Sequence, residues 1–510
     1  MKNNKKRGVI FPTRLIVSSV MILIQFFLFF YMLYSLSSKV IGFYFFIQFL
    51  SIILSITIIN SRSNPTYKIS WIIFILLVPF IGVTAYLLWG DGRIFPHLRK
   101  RMEKSEAHYK NLFPQDEKIK NRLLYEDLLH ARQALFLSNE SEYPLYSSTK
   151  TEYLSPGETV FPRLLAELSA AQKYIFIEFF ILAEGEMWES IRKILKEKVK
   201  SGVDVRIIFD DFGSISRQSK GFIKELQTDG IKVCAFNKIR PSVDIFMNNR
   251  DHRKIVVVDG RVAFTGGINI GDEYINKIER FGYWMDCAAV FTGDAARSFS
   301  IMFMSMWTFI TGEVLDGKKY IANQKEKHDG FVLPYCDGPL NKRNPAEEIY
   351  MKIISTAQKY VYIATPYLII DNTMLHNLSL AARSGIDVRI ITPKKWDKWY
   401  VHPVTQQNYE TLLESGVKIY EYTPGFIHSK LFLSDDCVAT VGSINMDYRS
   451  FFAHFECGAW ICKSEAVFEI KEHLLSLFEQ SEEIVLAKWK KRPLLLKIKQ
   501  RVLSVFSPFM

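Results

Sequence analysis

DHRKIVVVDG, residues 251–260, sets a histidine and a lysine two positions apart at the head of an apolar run that closes on Asp-Gly. Along a strand, residues i and i+2 share a face, so His252 and Lys254 are expected to project the same way from a buried strand. The pattern returns as HSKLFLSDD, with His428, Lys430 and Asp435 at the spacing of His252, Lys254 and Asp259. Gly266, Gly267 and Asn269 follow the first copy; Gly442, Ser443 and Asn445 follow the second at identical offsets. A lone buried histidine is ordinarily a satisfied core residue. Two in register, each beside a lysine, point to a site.

The copies sit inside a longer repeat. AQKYIFIEFFIL (171–182) returns as AQKYVYIATPYL (357–368), SGVDVRII (201–208) as SGIDVRII (384–391), and GIKVCAF (230–236) as GVKIYEY (416–422). Helical and β-rich runs alternate in each copy. That predicts an α/β fold of two duplicated lobes with mainly parallel sheets, packed about a pseudo-two-fold. Two copies of such length are no solenoid. The expected order is a membrane anchor (1–90), a charged helical connector (91–140), a first lobe (141–325), a second lobe (326–480) and a basic amphipathic tail (481–510).

If the lobes close on each other, both His-Lys pairs and both asparagines meet in one cleft. A lysine beside each histidine repels a metal cation, and no carboxylate triad or thiolate set accompanies them, so neither metal nor other cofactor is expected. An anion suits the cleft, and two histidines about a phosphodiester suggest its chemistry. One attacks phosphorus; the other protonates the departing alkoxide, then activates the incoming hydroxyl. Lys254, Lys430, Asn269 and Asn445 hold the non-bridging oxygens.

A nucleophilic imidazole needs one fixed tautomer, which calls for a carboxylate on its other nitrogen. WMDCAAVF and HFECGAWI offer Asp286 and Glu456, 34 and 28 residues beyond the histidine of their own repeat. Asp272 and Glu273 compete in the first lobe. Asp259 and Asp435 belong to the motif but stand at opposite parity at the strand end, so their expected work is to hold the turn and pair with a nearby basic group.

Of 510 residues 48% are hydrophobic, which excludes disorder and leaves room for a large core. Residues 15–36, 40–59 and 71–89 are nearly charge-free and bilayer-long, with no polar face, predicting two to three transmembrane helices. Further apolar stretches after the first argue against a cleaved signal peptide. Basic clusters flank them: Lys2, Lys5, Lys6, Arg7 and Arg14 before, and Arg93, Arg99, Lys100, Arg101 and Lys104 after. Three full spans cannot put both clusters inside, so one segment re-enters or lies in the interface, or the charge rule is broken at one end. The catalytic part is expected in the cytoplasm. The net charge of +12 is read as attraction to anionic lipid, with no nucleic-acid partner. Six cysteines without C-x-x-C read as reduced thiols, indicating neither zinc nor a disulfide framework. In the tail, Leu495, Ile498, Val502, Val505 and Phe509 share one side of a helix that lies on the membrane or packs on the lobes.

Two H-x-K-x4-D motifs, each followed by G-[GS]-x-N, resemble the phospholipase D superfamily over roughly residues 150–480. NPTYKISWIIFILLVPFIGVTAYLLWG, IEFFIL, NNRDHRKIVVVDG, TGGINIGDEY, TPYLI and the closing SPFM are similar to bacterial cardiolipin synthases. The resemblance implies a multi-pass protein of the bacterial cell membrane acting on phosphatidylglycerol. Its implied reaction attacks one phosphatidylglycerol, releases glycerol, and passes the phosphatidyl group to the headgroup hydroxyl of a second. It further implies that His252 forms a phosphohistidine and that His428 serves as acid and then base. The first apolar stretch is additional to the two-span arrangement of the family. A phospholipase D, or a phosphatidyltransferase using water or another alcohol, is the alternative; a nuclease and a non-catalytic scaffold are further ones. Phe426, Phe246 and Met247 are candidates for the lipid path.

Overall fold

The computed structural model describes residues 13–39, 41–61, 64–90, 96–240, 248–322, 326–341 and 343–509. Lys2, Lys5, Lys6, Arg7, Arg93, Phe246 and Met247 lie outside the described residues.

Val, Ile and Phe dominate Tyr174–Phe179 and Asp204–Asp210, which pair in parallel, as do Asp204–Asp210 and Lys232–Phe236. Helices Glu186–Lys200 and Phe222–Thr228 make these crossovers. On its other side Tyr174–Phe179 pairs antiparallel with Lys254–Val258, and Val262–Gly266, Ala288–Gly293 and Thr149–Leu154 continue the sheet antiparallel. The second lobe repeats this order from Phe331–Asp337 through His454–Cys462, Val438–Gly442, Leu431–Ser434, Tyr360–Ala364 and Asp387–Pro393 to Lys418–Tyr422, then adds Ser481–Glu483.

Both sheets are therefore mixed, which corrects the expectation of mainly parallel ones. The turn after each motif is the reason. Asp259 and Gly260 have φ of 55° and 65°, and Asp435 and Asp436 have 56° and 57°. Two consecutive left-handed residues make the tight turn that joins antiparallel strands, whereas a parallel return needs a long crossover.

The motif aspartates secure these turns through backbone amides rather than a basic side chain. Asp259 accepts from the N–H groups of Gln172, Lys173 and Tyr174 at 2.7–2.9 Å. Asp435 accepts from those of Gln358, Lys359 and Tyr360 over the same range. Each carboxylate thus ties the hairpin to the start of the neighbouring strand, at the end of the motif strand away from its histidine.

The two sheets share one apolar core. A continuous cluster joins Ile255, Val257 and Phe291 of the first to Leu431, Leu433 and Ala459 of the second. The helix Ala296–Thr311 is buried along nearly its whole length within it.

At the amino-terminal side, helices span Thr13–Lys39 and Ile41–Ile59. Among the described residues one stretch, Gly42–Ile59, is long and apolar enough to cross a membrane; Leu23–Met32 and Pro65–Leu77 are shorter apolar segments. The expected span at 71–89 is broken. Pro79 lacks an N–H and its ring obstructs a continuing helix, so the chain forms Pro65–Leu77 and Pro79–Trp89 instead. These fold back on each other: the Tyr67 hydroxyl donates to the Gly90 carbonyl at 3.1 Å, and the Trp71 and Tyr86 rings meet at 5.3 Å. At 1.5 Å per residue each arm is roughly 16–20 Å long, short of the roughly 30 Å of a bilayer core.

The tail helix Leu494–Ser504 packs on the protein body and leaves an apolar face uncovered. Gln500 is buried, the carbonyl of Val505 accepts from Ser70 at 2.7 Å, and Phe509 packs on Trp71 at 5.4 Å. Leu494, Leu495, Ile498 and Val502 face outward, Leu495 being 79% exposed.

Replacing Asp435 with Ala removes three amide hydrogen bonds to a carboxylate and puts a Cβ-bearing residue without a local acceptor at positive φ. The expected loss is about 2–4 kcal/mol of stability, read as a lowered Tm in detergent, whereas His428→Ala leaves Tm close to that of the parent.

Candidate active site

Each motif histidine stands where the chain leaves one lobe's strands and enters another's. Arg250–Asp251 pairs in parallel with His454–Phe455 of the second lobe, and the motif strand of the first sheet begins only at Lys254. His252 sits in the break between them. Likewise Gly425–Ile427 pairs in parallel with Tyr283–Met285 of the first lobe, and Leu431–Ser434 rejoins the second sheet. The expected single strand carrying both His and Lys is thus interrupted, because the residues before each histidine hydrogen-bond to the opposite lobe.

This exchange decides the carboxylates. His252 Nδ1 lies 2.8 Å from Glu456 Oε1, and His428 Nδ1 lies 2.7 Å from Asp286 Oδ2. The in-repeat pairing expected from the sequence is therefore crossed: each lobe orients the other lobe's imidazole. Asp272 and Glu273 are engaged elsewhere, Asp272 accepting from the Met187 N–H at 2.9 Å and Glu273 pairing with Arg217 and Arg280.

The G-[GS] position seats each carboxylate. A Cβ on Gly267 would fall 2.1 Å from Asp286 Oδ1 and 2.9 Å from the His428 carbonyl oxygen, so a side chain there would block the reach across the interface. At the matching position, the Ser443 hydroxyl donates to Glu456. Nearby, Thr265 Oγ1 and Cys457 Sγ touch at 3.4 Å across the same seam.

Both ammonium groups are fully enclosed. Lys254 Nζ donates to the carbonyl of His252 at 2.5 Å, and Lys430 Nζ donates to that of His428. Burial pushes Lys254 down to about 7 and Lys430 down to about 8. Burial, then Lys430, lowers His428 to about 4; burial, Lys254 and His454 hold His252 well below its usual value. The charges of Lys430 and His428 reach His252, and that of Lys254 reaches His428, so the two imidazoles share one electrostatic environment. Burial pushes Glu456 upward against the pull of Lys254, whereas for Asp286 the charges of His428 and Lys430 outweigh burial and keep it below the usual carboxylate range. With each Nδ1 taken by a carboxylate, each Nε2 is the nitrogen left for chemistry.

Asn269 and Asn445 flank this centre with different partners. Asn269 accepts from the Ile181 N–H at 3.1 Å and donates to the Tyr274 hydroxyl at 3.0 Å. The side-chain oxygen of Asn445 is buried without a hydrogen bond. Phe426 is buried against Trp284 at 5.0 Å and forms the wall behind His428.

His454 was not among the expected site residues. Its ring lies tilted 5.4 Å from that of His252, both its nitrogens are buried without hydrogen bonds, and Nδ1 is 3.8 Å from Glu456 Oε1. A signal existed: His454 stands two residues before Glu456 as Trp284 stands two before Asp286, and Trp284 packs 5.3 Å from His428. His252, His454 and Glu456 bring donor atoms within 4.8 Å of one another. Burial, then the positive charges of Arg449, Lys254, Lys398 and Arg250, hold His454 well below its usual value.

Two mixed sheets back to back, with paired His-Lys motifs whose carboxylates are exchanged, define a protein of the phospholipase D-like class. A family model described as "Cardiolipin synthase, PLD-like domain" matches residues 164–281 and 350–480, and one described as "Phospholipase_D-nuclease N-terminal" matches residues 49–90. A Geobacillus cardiolipin synthase is 33% identical over 455 residues, covering 88% of this chain and 89% of that protein. An uncharacterized protein of Streptococcus mutans is 38% identical over 460 residues, covering 89% and 98%. The phosphatidylserine synthase of Haemophilus influenzae shares the fold with a TM-score of 0.54 at 16% identity, over 74% of this chain and 98% of that one. The chain belongs to the cardiolipin synthase family.

The buried ammonium groups oppose stability. For Lys254, the folded value near 7 lies below the roughly 10.4 of an unfolded lysine, so the unfolded chain binds more protons between those pH values and wild-type stability falls as pH drops through that window. Lys254→Met is therefore expected to raise Tm at pH 7 while abolishing activity, and the Tm gap to wild type should narrow as pH rises toward 10.

Proposed function

We propose that the cleft carries out phosphatidyl transfer between two phosphatidylglycerol molecules, giving cardiolipin and glycerol. The carrying observation is the pair of crossed carboxylate-imidazole contacts, which leaves the two Nε2 atoms unclaimed in the shared environment of Lys254 and Lys430. The chain is a phosphatidyltransferase of the cardiolipin synthase type. His252 Nε2 attacks phosphorus, forming the N–P bond as the bond to the glycerol oxygen breaks, and His428 gives that oxygen its proton. His428 then takes the proton of the second headgroup hydroxyl as its oxygen attacks phosphorus and the N–P bond breaks. Lys254, Lys430, Asn269 and Asn445 hold the non-bridging oxygens. Asp286 and Glu456 orient the imidazoles, and Asp259 and Asp435 hold the two motif hairpins.

The difference between the carboxylates supports this division. Asp286 is kept ionised beside His428, and an ionised carboxylate favours the imidazolium that a proton donor requires. Burial raises Glu456 and lowers His252, so His252 stays uncharged, and a Glu456 carboxylate accepting from its Nδ1–H leaves the lone pair on Nε2, as a nucleophile must have it. The incoming phosphodiester brings the negative charge that draws a proton onto His428.

The two sheets relate to each other by a pseudo-two-fold, and the divisions at 90, 140, 325 and 480 mark anchor, connector, lobes and tail. The anchor is multi-pass: Thr13–Lys39 and Ile41–Ile59 cross, and the short hairpin of Pro65–Leu77 and Pro79–Trp89 enters the bilayer and returns on the same side. An even number of crossings puts the basic clusters before residue 15 and after residue 92 both in the cytoplasm, which satisfies the positive-inside rule. The outward leucines of the tail helix and Lys497, Lys499 and Arg501 suit an anionic bilayer surface. Docked there, the cleft meets lipid, and exclusion of water from the phosphohistidine favours transfer over hydrolysis to phosphatidic acid.

Reconstituted protein given phosphatidylglycerol alone should yield cardiolipin and glycerol; phosphatidic acid as the main product would instead assign a phospholipase D. His252→Ala and His428→Ala are each expected to lower turnover by roughly 10³-fold or more, with labelled phospho-enzyme accumulating in the His428 variant and absent from the His252 variant. Epitope tags inserted in the full chain at residues 40, 62 and 92 should be accessible from outside intact cells at 40 only; accessibility at 92 would mean that the hairpin crosses.

A further inference from the structure

The connector holds a second constellation that the transfer chemistry leaves unused. Asp127 caps the helix Leu128–Ser141, its Oδ1 accepting from the His130 N–H at 3.1 Å and its Oδ2 lying 2.8 Å from His130 Nδ1. From the second lobe, Cys437 follows the Asp435-Asp436 turn and brings Sγ to 3.7 Å from the same Nδ1 and 3.9 Å from Asp127 Oδ2. Cys462, the last residue of His454–Cys462, is fully buried alongside. The donor atoms of His130, Cys437 and Cys462 all lie within 4.8 Å of one another.

Three chemistries use such groups, and the geometry separates them. A Cys-His-Asp nucleophilic relay needs thiol and carboxylate on opposite ring nitrogens; here both face Nδ1. A disulfide would employ the two sulfurs and leave the buried His130 and its carboxylate without a part. Two thiols and an imidazole whose donor atoms lie within 4.8 Å of one another can be gathered onto one tetrahedral metal ion. Zinc-ligand bonds of about 2.0–2.3 Å set neighbouring donors about 3.3–3.8 Å apart, close to the 3.7 Å between Cys437 Sγ and His130 Nδ1.

We propose that His130, Cys437 and Cys462 bind one zinc ion as a structural clamp between the connector helix and the hairpin of the second motif, with Asp127 beside the site. Binding exchanges the two thiol protons for the ion and releases them to solvent. The two thiolates balance the charge of the ion, and Lys463 Nζ, 3.2 Å from Asp127 Oδ2, balances the neighbouring carboxylate. In this the site differs from the cluster around His252, where several cations bear on the donors. The clamp also explains why the sequence shows no metal motif: Cys437 and His130 are 307 positions apart and only the fold joins them.

The test is the metal content of the full-length protein purified in detergent with a reductant and loaded from a zinc buffer. About one zinc per chain is expected, lost in Cys437→Ser and His130→Ala and retained in Cys234→Ala. Cobalt in place of zinc should give a thiolate charge-transfer band that Cys437→Ser removes. Cys437 is half-buried at a turn, so its variant carries the test while a Cys462 substitution risks the core. Wild-type protein that takes up no zinc, zinc content unchanged by Cys437→Ser, or a Cys437–Cys462 disulfide trapped by alkylation at lysis would overturn the proposal.

Discussion

Two carboxylate-imidazole contacts that cross between the lobes set the conditions for everything else in the site. Neither lobe holds a complete carboxylate-imidazole pair: His252 of the first takes its carboxylate from the second, and His428 of the second takes its own from the first. The strand exchanges that precede each histidine, Arg250–Asp251 onto His454–Phe455 and Gly425–Ile427 onto Tyr283–Met285, bring these groups within hydrogen-bond range. Loosening the interface would lose the tautomer of both imidazoles together, and a continuous apolar cluster that joins the two sheets opposes this.

That arrangement is electrostatically costly, and the cost follows from the proposed chemistry. Two lysines and three histidines are enclosed in one region, where burial disfavours every charged form. In the proposed reaction a phosphate would relieve this cost, meeting charge-assisted hydrogen bonds in a medium that screens them little. His454 marks where the two halves have diverged: an imidazole with no hydrogen bond flanks His252, whereas the indole of Trp284 flanks His428. The near-symmetric pocket thereby has two chemically distinct sides, as a reaction with a donor and an acceptor requires.

The membrane-facing parts are tied to the second lobe. The tail meets the hairpin through Ser70 with Val505 and Trp71 with Phe509, and Asn64 donates to Asp371 at 2.8 Å. The short hairpin and the tail helix are therefore held against the second lobe by packing and hydrogen bonds.

The repeat, the α/β alternation and the motif residues were all legible in the sequence, because they are matters of local spacing: the i, i+2 parity of His and Lys, the recurrence of AQKY and SG-[VI]-DVRII, and a turn written as Asp-Gly. Asp286 and Glu456 were legible as carboxylates of the right kind at matching places. Only the tertiary structure decided which imidazole each one meets, since a hydrogen bond across 204 or 142 positions depends on how two sheets pack and leaves no trace in spacing. The same holds for the antiparallel half of each sheet, for the fold-back at Pro79 and for the Asp127, His130, Cys437 and Cys462 cluster. Sequence determines what each segment can bury and which way its side chains point; the partner that a buried polar group finds is settled by the closure of the whole chain.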